Sequence, residues 1–266
     1  MKIFHISDLH FGMHQEEIVD YFLSDIAEMT PDIILISGDI TQRATDLQYE
    51  MFVSFLKKIK LPVLIVPGNH DIPLHNVFSR IFYPFAQYKR YVNPKLSVHF
   101  ENNEVRILGV NSVNPYRIKD GTLSKEVLIR INRYFEPAFT GLNILFFHHN
   151  FDYLEGWHKP LENYQEFLTY LKDSPINIVC TGHSHYAHVS IIEKNNSNPC
   201  ILIHAGSLLC TRRKDGLNSY YMIETLENSC KIDWRVFKDN KFITNSTQSI
   251  GGHVAIAPLP TLPLSE

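Results

Sequence analysis

Apolar residues along this chain recur first at strand spacing and then at helix spacing, and the two patterns alternate. "KIFHIS" has strand length. In "QEEIVDYFLSDIAEM", Ile18, Phe22, Ile26 and Met29 follow at intervals of three and four, which predicts an amphipathic helix broken by "TPD". "DIILIS" predicts a buried strand, "TDLQYEMFVSFLKKI" a second helix with Leu47, Met51, Phe55 and Leu56 on one face, and "LPVLIVP" a third strand. Repetition of strand, helix and strand implies right-handed crossovers and a parallel sheet covered by helices.

From Ile72 to Asn103 the period fades and aromatic residues crowd in, as in "NVFSRIFYPFAQYKRYVNP". This stretch reads as a helical or loop insertion, either beside the site the sheet builds or capping the core. Alternation resumes with "EVRILGVNS", the helix "SKEVLIRINRYFE", and "LNILFFHH". After "INIVCTGHSH" come "HVSIIEK", "CILIHAGS", "SYYMIETLE" and "CKIDWRVFK", short runs separated by turn signals such as "NNSNP" and "KDG", which predict antiparallel pairing. The expected architecture is therefore mixed α/β: β-α-β repeats followed by a β-meander, forming two packed mixed sheets. No repeat or linker divides the chain. One domain is expected over residues 1–266, with a strand-rich third at about 186–240 and an extended proline-rich tail at about 251–266.

Composition narrows the functional classes. The chain is 44% hydrophobic and 20% charged, with a formal charge of −3. That balance is ordinary for a globular protein and argues against a nucleic-acid clamp or a polybasic membrane anchor. "MKIFHIS" turns polar too soon for a signal-peptide core, and no apolar run approaches the length of a spanning helix. Cys180, Cys200, Cys210 and Cys230 form no CxxC pair, which suits reduced structural thiols rather than a zinc knuckle. The cytoplasm is the expected location and a small molecule the expected partner. Oligomeric state leaves no trace in the pattern.

Five apolar runs end in groups that bind protons or metals. They are "FHISDLH" (Asp8, His10), "LISGD" (Asp39), "IVPGNHD" (Asn69, His70, Asp71), "LFFHH" (His148, His149) and "IVCTGHSH" (His183, His185). Loops leaving the carboxyl ends of strands in α/β sheets converge on one crevice. A lone DxH is usually a turn, and fourteen histidines guarantee coincidences. Five such ends in order are a stronger signal. Imidazole and carboxylate suit zinc, iron and manganese, and one carboxylate must bridge if two ions are to sit roughly 3.5–4 Å apart. Two aspartates and a hydroxide leave such a pair of divalent ions with net positive charge, which attracts phosphate.

At these residues the sequence resembles the calcineurin-like metallophosphoesterase superfamily. Its ordered signature DxH, GD, GNHD/E, H and GHxH is matched by Asp8-Leu9-His10, Gly38-Asp39, Gly68-Asn69-His70-Asp71, His148 and Gly182-His183-Ser184-His185. "HISDLHFG", "SGDITQ" and "VPGNHD" look most like the bacterial branch that contains cyclic-AMP phosphodiesterases. The resemblance implies a four-layer α/β/β/α sandwich of two mixed β-sheets flanked by helices. It implies two metal ions, manganese or iron with zinc as the alternative. Asp8, His10, Asp39 and His185 would hold one, and Asp39, Asn69, His148 and His183 the other. Relatives usually carry proline two residues after the ligand histidine, where this chain has Asn150. His148 directly follows the strand and is chosen, with His149 as the alternative ligand, or else a residue that supports the ligands or lines the pocket.

The implied chemistry is attack on phosphorus by a hydroxide shared by the ions. His70 would bond the phosphoryl group or protonate the leaving oxygen, with Asn69 also at the substrate. Asp71 would orient His70 or cap its turn. Arg43 is a further candidate for a substrate phosphate, against the plainer reading of an exposed residue leading a helix. Arg212, Arg213 and Lys214 read as a solvated turn, with a pocket rim as the alternative, and His5 reads as a core histidine. The expected activity is hydrolysis of a small phosphodiester such as a cyclic nucleotide or glycerophosphodiester. The alternatives are a nuclease, a nucleotide-sugar pyrophosphatase, or an inactive scaffold.

Overall fold

The computed structural model describes residues 1–152, 159–195, 198–227 and 229–251. The proline-rich tail expected at about 251–266 lies, apart from its first residue, outside the described residues. The amino-terminal alternation forms as expected. Strands β1 (Lys2–Ile6), β2 (Ile33–Ser37) and β3 (Val63–Val66) pair in parallel, connected by helices α1 (Glu16–Met29) and α2 (Asp46–Lys58). Thr45 caps α2 by accepting from the Gln48 N–H, and Asp46 in the first turn and Lys57 and Lys58 in the last complement the helix dipole.

The insertion after β3 becomes two short helices, α3 (Val77–Phe82) and α4 (Ala86–Tyr91), then strand β4 (Val98–Glu101). β5 (Val105–Gly109), α5 (Lys125–Phe135), β6 (Leu142–Phe146), α6 (Tyr164–Asp173) and β7 (Ile178–Thr181) restore the alternation. The last third supplies β8 (His188–Ile192), β9 (Cys200–His204), β10 (Ser219–Leu226), β11 (Ser229–Lys238) and β12 (Lys241–Gly251). The strand-rich region therefore runs past residue 240. β12 was hidden because "KFITNSTQSIG" is polar, and it exists because it pairs antiparallel with β11 along its length.

Two six-stranded sheets result, in the orders β12-β11-β10-β1-β2-β3 and β4-β5-β6-β7-β9-β8. Successive side chains of a strand face opposite ways, and each sheet uses both faces. Ile3, Ile33 and Leu35 pack between the sheets with Ile107, Ile144 and Ile178, whereas Phe4, Ile34 and Ile36 turn outward onto Phe22 of α1 and Phe52 and Phe55 of α2. On the second sheet Leu108, Leu145 and Val179 meet Ile131 and Phe135 of α5 and Phe167 and Leu171 of α6. This is the four-layer sandwich expected. Each fully buried aromatic ring contributes about 1.5–3 kcal/mol. The expected face of α2 is shifted. Phe55 is buried and Met51 and Leu56 pack against the core as expected, but Leu47 is exposed, and Tyr49 and Phe52 are buried beside Phe55. Among the described residues no helix is long and apolar enough to cross a membrane.

Candidate metal centre

Every residue marked by the five motifs lies just beyond the carboxyl end of a parallel strand. Asp8 and His10 follow β1, Asp39 follows β2, Asn69 to Asp71 form a single 3-10 turn after β3, His148 and His149 follow β6, and His183 and His185 follow β7. Five of them hold left-handed backbone at non-glycine residues: Asp8 (φ 54°), His10 (48°), Asp39 (51°), His183 (70°) and His185 (55°). Such conformations cost energy and persist where surrounding structure enforces them, typically at functional sites. The enforcing contacts are visible. Asp8 N–H donates to the Gly38 carbonyl at 3.2 Å, His10 N–H to the Asp39 carbonyl at 3.0 Å, and Gly182 N–H to the His148 carbonyl at 2.9 Å. Glycine is required at two of these crossings. Gly38 has φ +88° and a Cβ there would meet the Gly68 nitrogen at 2.7 Å, while a Cβ on Gly182 would meet Ser7 Oγ at 1.9 Å.

The side chains gather into two groups that share Asp39. Asp8, His10, Asp39 and His185 form one and Asp39, His148 and His183 the other, with possible ligand atoms of each group within 4.8 Å of one another. Asp39 turns one oxygen to each. Its Oδ2 lies 3.7 Å from His10 Nε2, and its Oδ1 lies 3.3 Å from His148 Nε2. Asn69 Oδ1 joins the second group, 3.2 Å from His148 Nε2, and His183 Nδ1 is 3.3 Å from that same nitrogen.

The donor set fits metal ions. His10 Nε2 and Asp8 Oδ1 are buried without a hydrogen bond, and they stand 3.6 Å apart. His185 Nε2 is 3.5 Å from Asp8 Oδ1. Donors held about 2.0–2.2 Å from a common ion are separated by roughly 3–3.6 Å, close to the spacings observed. His148 Nδ1 donates to the Ser37 carbonyl at 2.7 Å, which in the neutral imidazole turns the Nε2 lone pair toward the oxygens of Asp39 and Asn69. A set of acceptors facing one another calls for a cation between them. The electrostatics also call for positive charge here: against the desolvation of a fully buried ring, Asp39 raises the His148 pKa to about 9. Burial alone would raise Asp8, yet the His185, His10 and His148 rings outweigh it and hold the carboxyl at about 2. Asp39 is likewise held well below the usual carboxylate range against its own desolvation, chiefly by His148 and His70.

His149 stands outside both groups. Its Nδ1 pairs with Ser112 Oγ at 2.8 Å. Burial, reinforced by His148, pushes its pKa well below the ordinary histidine value, and its ring packs 4.7 Å from that of His183. It lies behind the second group, and His148 is the histidine within it. His70 lines a cleft of about 270 Å³ that opens over the cluster, together with Asp39, Asn69, His183 and His185. The His70 ring is held by the Gln42 carbonyl, 2.9 Å from Nδ1.

Asp71 does not touch that ring. Its carboxylate accepts from Gly68 N–H (2.8 Å), Thr41 N–H (2.8 Å) and Ile40 N–H (3.2 Å), so it braces the turn, and of the two roles foreseen for it capping is the one its bonds support. Arg43, the further candidate for a substrate phosphate, does not line the cleft. It sits in the turn leading into α2, its backbone N–H donating to Gln48 Oε1 at 2.7 Å. Lys119, Arg212, Arg213 and Lys214 line it instead. Lys119 carried no signal in the sequence, and Gln42 and Ser37 act through backbone carbonyls that no side-chain pattern reveals. His5 is a core histidine, fully buried and paired with Ser37 Oγ at 2.8 Å.

Comparison with known proteins agrees with this arrangement. The family model for calcineurin-like phosphoesterases matches residues 1–187. A probable cyclic nucleotide phosphodiesterase of Coxiella burnetii is 28% identical over 250 residues, covering 86% of this chain and 96% of that protein. A probable glycerophosphodiester phosphodiesterase of Arcobacter nitrofigilis is 29% identical over 119 residues, covering 45% of this chain but only 42% of that protein. In three dimensions the fold is shared with a purple acid phosphatase of yellow lupin, Lupinus luteus. The TM-score is 0.70 at 12% identity, over 94% of this chain and 53% of that one. With the family model spanning most of the chain and the fold in agreement, the chain belongs to the calcineurin-like phosphoesterase family.

Proposed function

We propose that this protein hydrolyses small phosphodiesters, of the cyclic nucleotide or glycerophosphodiester kind, at a centre of two metal ions bridged by Asp39. The observation that carries the reading is the split of the Asp39 carboxylate, one oxygen toward each ligand group. Asp8, His10 and His185 complete one set, and Asn69, His148 and His183 the other. The donors are imidazole, carboxylate and carboxamide, with no thiolate. That set suits manganese or iron, with zinc as the alternative. When bound, two such ions lower the pKa of a water to about 7 and offset charge on the phosphoryl oxygens.

The chain's own residues do the rest. His148 is kept in register by the Ser37 carbonyl, and His185 by Ser207 Oγ (2.6 Å) and the Arg212 carbonyl (3.0 Å), both on its Nδ1. His70 donates from Nδ1 to Gln42, which leaves Nε2 as the ring nitrogen for the cleft. Burial lowers the His70 pKa although Asp39 opposes it, so the ring is neutral near pH 7. An arriving phosphate anion favours the charged ring, as Asp39 does, and Nε2 then donates to the phosphoryl or leaving oxygen. Names of relatives support a diester as substrate: cyclic nucleotide phosphodiesterase for one and glycerophosphodiester phosphodiesterase for another. Four free, buried cysteines suit a reducing cytoplasm.

The test is turnover by the purified, manganese-loaded protein of bis(p-nitrophenyl) phosphate, p-nitrophenyl phosphate and 3′,5′-cyclic nucleotides. The reading expects the diesters to be favoured. Exclusive hydrolysis of the monoester, or no hydrolysis with any divalent metal, would overturn it.

A further inference from the structure

Lys119, Arg212, Arg213 and Lys214 line the cleft and are all exposed. They come from two separate loops. Lys119 follows β5, and residues 212–214 lie between β9 and β10. In the sheet order β5-β6-β7-β9, these loops leave the strands on either side of β6 and β7, the strands that carry His148, His183 and His185. Cations therefore flank the histidine groups on both sides.

The second loop is stitched into the site. The Arg212 carbonyl accepts from His185 Nδ1 at 3.0 Å and from Ser207 Oγ at 2.7 Å, while Lys214 N–H donates to the His185 carbonyl at 3.0 Å. Arg213 is braced by Asn218 Oδ1 at 2.6 Å from its Nη1. The backbone that bears these cations is thus fixed to a residue of the first ligand group.

A simple phosphodiester carries a single negative charge, and the proposed ions already meet it. Four further cations are more than such a substrate can use. A terminal phosphoryl group adds about two charges and three strong acceptor oxygens, and guanidinium groups bind such oxygens in paired fashion. We infer that, among small phosphodiesters, the cleft favours those carrying a second, terminal phosphoryl group, which Lys119 and Arg212 recognise from the two sides of the cluster. This inference rests on the diesterase reading and names the substrate class for the same site.

Two esters with the same scissile bond separate the possibilities: the 5′-(p-nitrophenyl) ester of thymidine 5′-monophosphate and that of thymidine 3′,5′-bisphosphate. In each, water adds to phosphorus and p-nitrophenolate leaves. The inference expects kcat/KM to be about tenfold or more higher for the bisphosphate ester at low ionic strength, the advantage shrinking as salt rises. Lys119→Met and Arg212→Gln, each shown to fold by circular dichroism, should lower that ratio by about threefold to fivefold apiece. Calorimetry with thymidine 3′,5′-bisphosphate and thymidine 5′-monophosphate gives a readout without turnover. The bisphosphate should bind more tightly, and both substitutions should erase the difference. Equal kcat/KM for the two esters, or a ratio that neither substitution changes, would overturn the inference while leaving the diesterase reading intact. If neither ester is turned over, the diesterase reading fails and the calorimetric comparison alone decides whether the cationic subsite exists.

Discussion

The backbone N–H of His183 donates to Asp8 Oδ2 at 3.0 Å, joining residues 175 positions apart. The bond crosses between the two sheets, since Asp8 leaves β1 and His183 leaves β7. It holds the carboxylate of the first group against the loop that supplies one histidine to each group. Gly182 permits the approach, because a Cβ there would also meet Asp8 Oδ2 at 2.7 Å. Gly182→Ala should therefore lower both melting temperature and metal content, and a variant that melts and binds metal like the parent would refute the constraint.

Asp39→Ala should remove the shared ligand. Metal content measured by elemental analysis should fall for both positions, with turnover reduced by more than about 100-fold. Undiminished activity would end the bridging role.

His70→Ala touches the cleft but none of the paired ligand contacts. Turnover should drop about 10²–10⁴-fold with both ions retained. If metal is lost instead, His70 is a ligand and the division of roles drawn above is wrong.

His148→Ala and His149→Ala separate neighbours of the same type. The first should deplete metal at the second group. The second should keep both ions but lose stability by roughly 1–3 kcal/mol, read by urea denaturation, because it deletes a buried ring and the bond between its Nδ1 and Ser112 Oγ. Equal metal loss in the two variants would contradict the placement of His149 behind the cluster.

His5 gives a pH test. Burial, and then the neighbouring His204, lower its pKa from 6.5 to about 3. Between those values the unfolded chain binds a proton that the folded one refuses. Stability therefore falls as pH drops from 6.5 toward 3, with a slope approaching about 1.4 kcal/mol per pH unit for this one group. In chelator-treated protein, His5→Gln should flatten the acid limb of denaturation midpoint against pH. Parallel limbs for parent and variant would show that His5 does not contribute it.

Much of this molecule was legible in its residues, and the reason is local. Strand and helix periods are written by near neighbours, so β1 to β3 with α1 and α2 could be placed from spacing. The five motifs each follow a parallel strand, three in one sheet and two in the other, and the carboxyl ends of these strands meet at one end of the sandwich. Where a segment takes its structure from a distant partner, spacing misleads. Polar β12 is a strand because β11 pairs with it, and α2 buries Tyr49 rather than Leu47 because the sheet beneath selects the face.

The site divides in the same way. By itself the sequence determined which residue types could bind metal and which side chains follow each strand. Only the tertiary structure decided that Asp39 faces both groups, that His148 rather than His149 lies in the second group, and that Gln42 rather than Asp71 holds the His70 ring. It also decided that Lys119 and Arg212 reach one cleft while Arg43 does not. These are relations between side chains, or between a side chain and a remote carbonyl, and they exist only once the two sheets have packed.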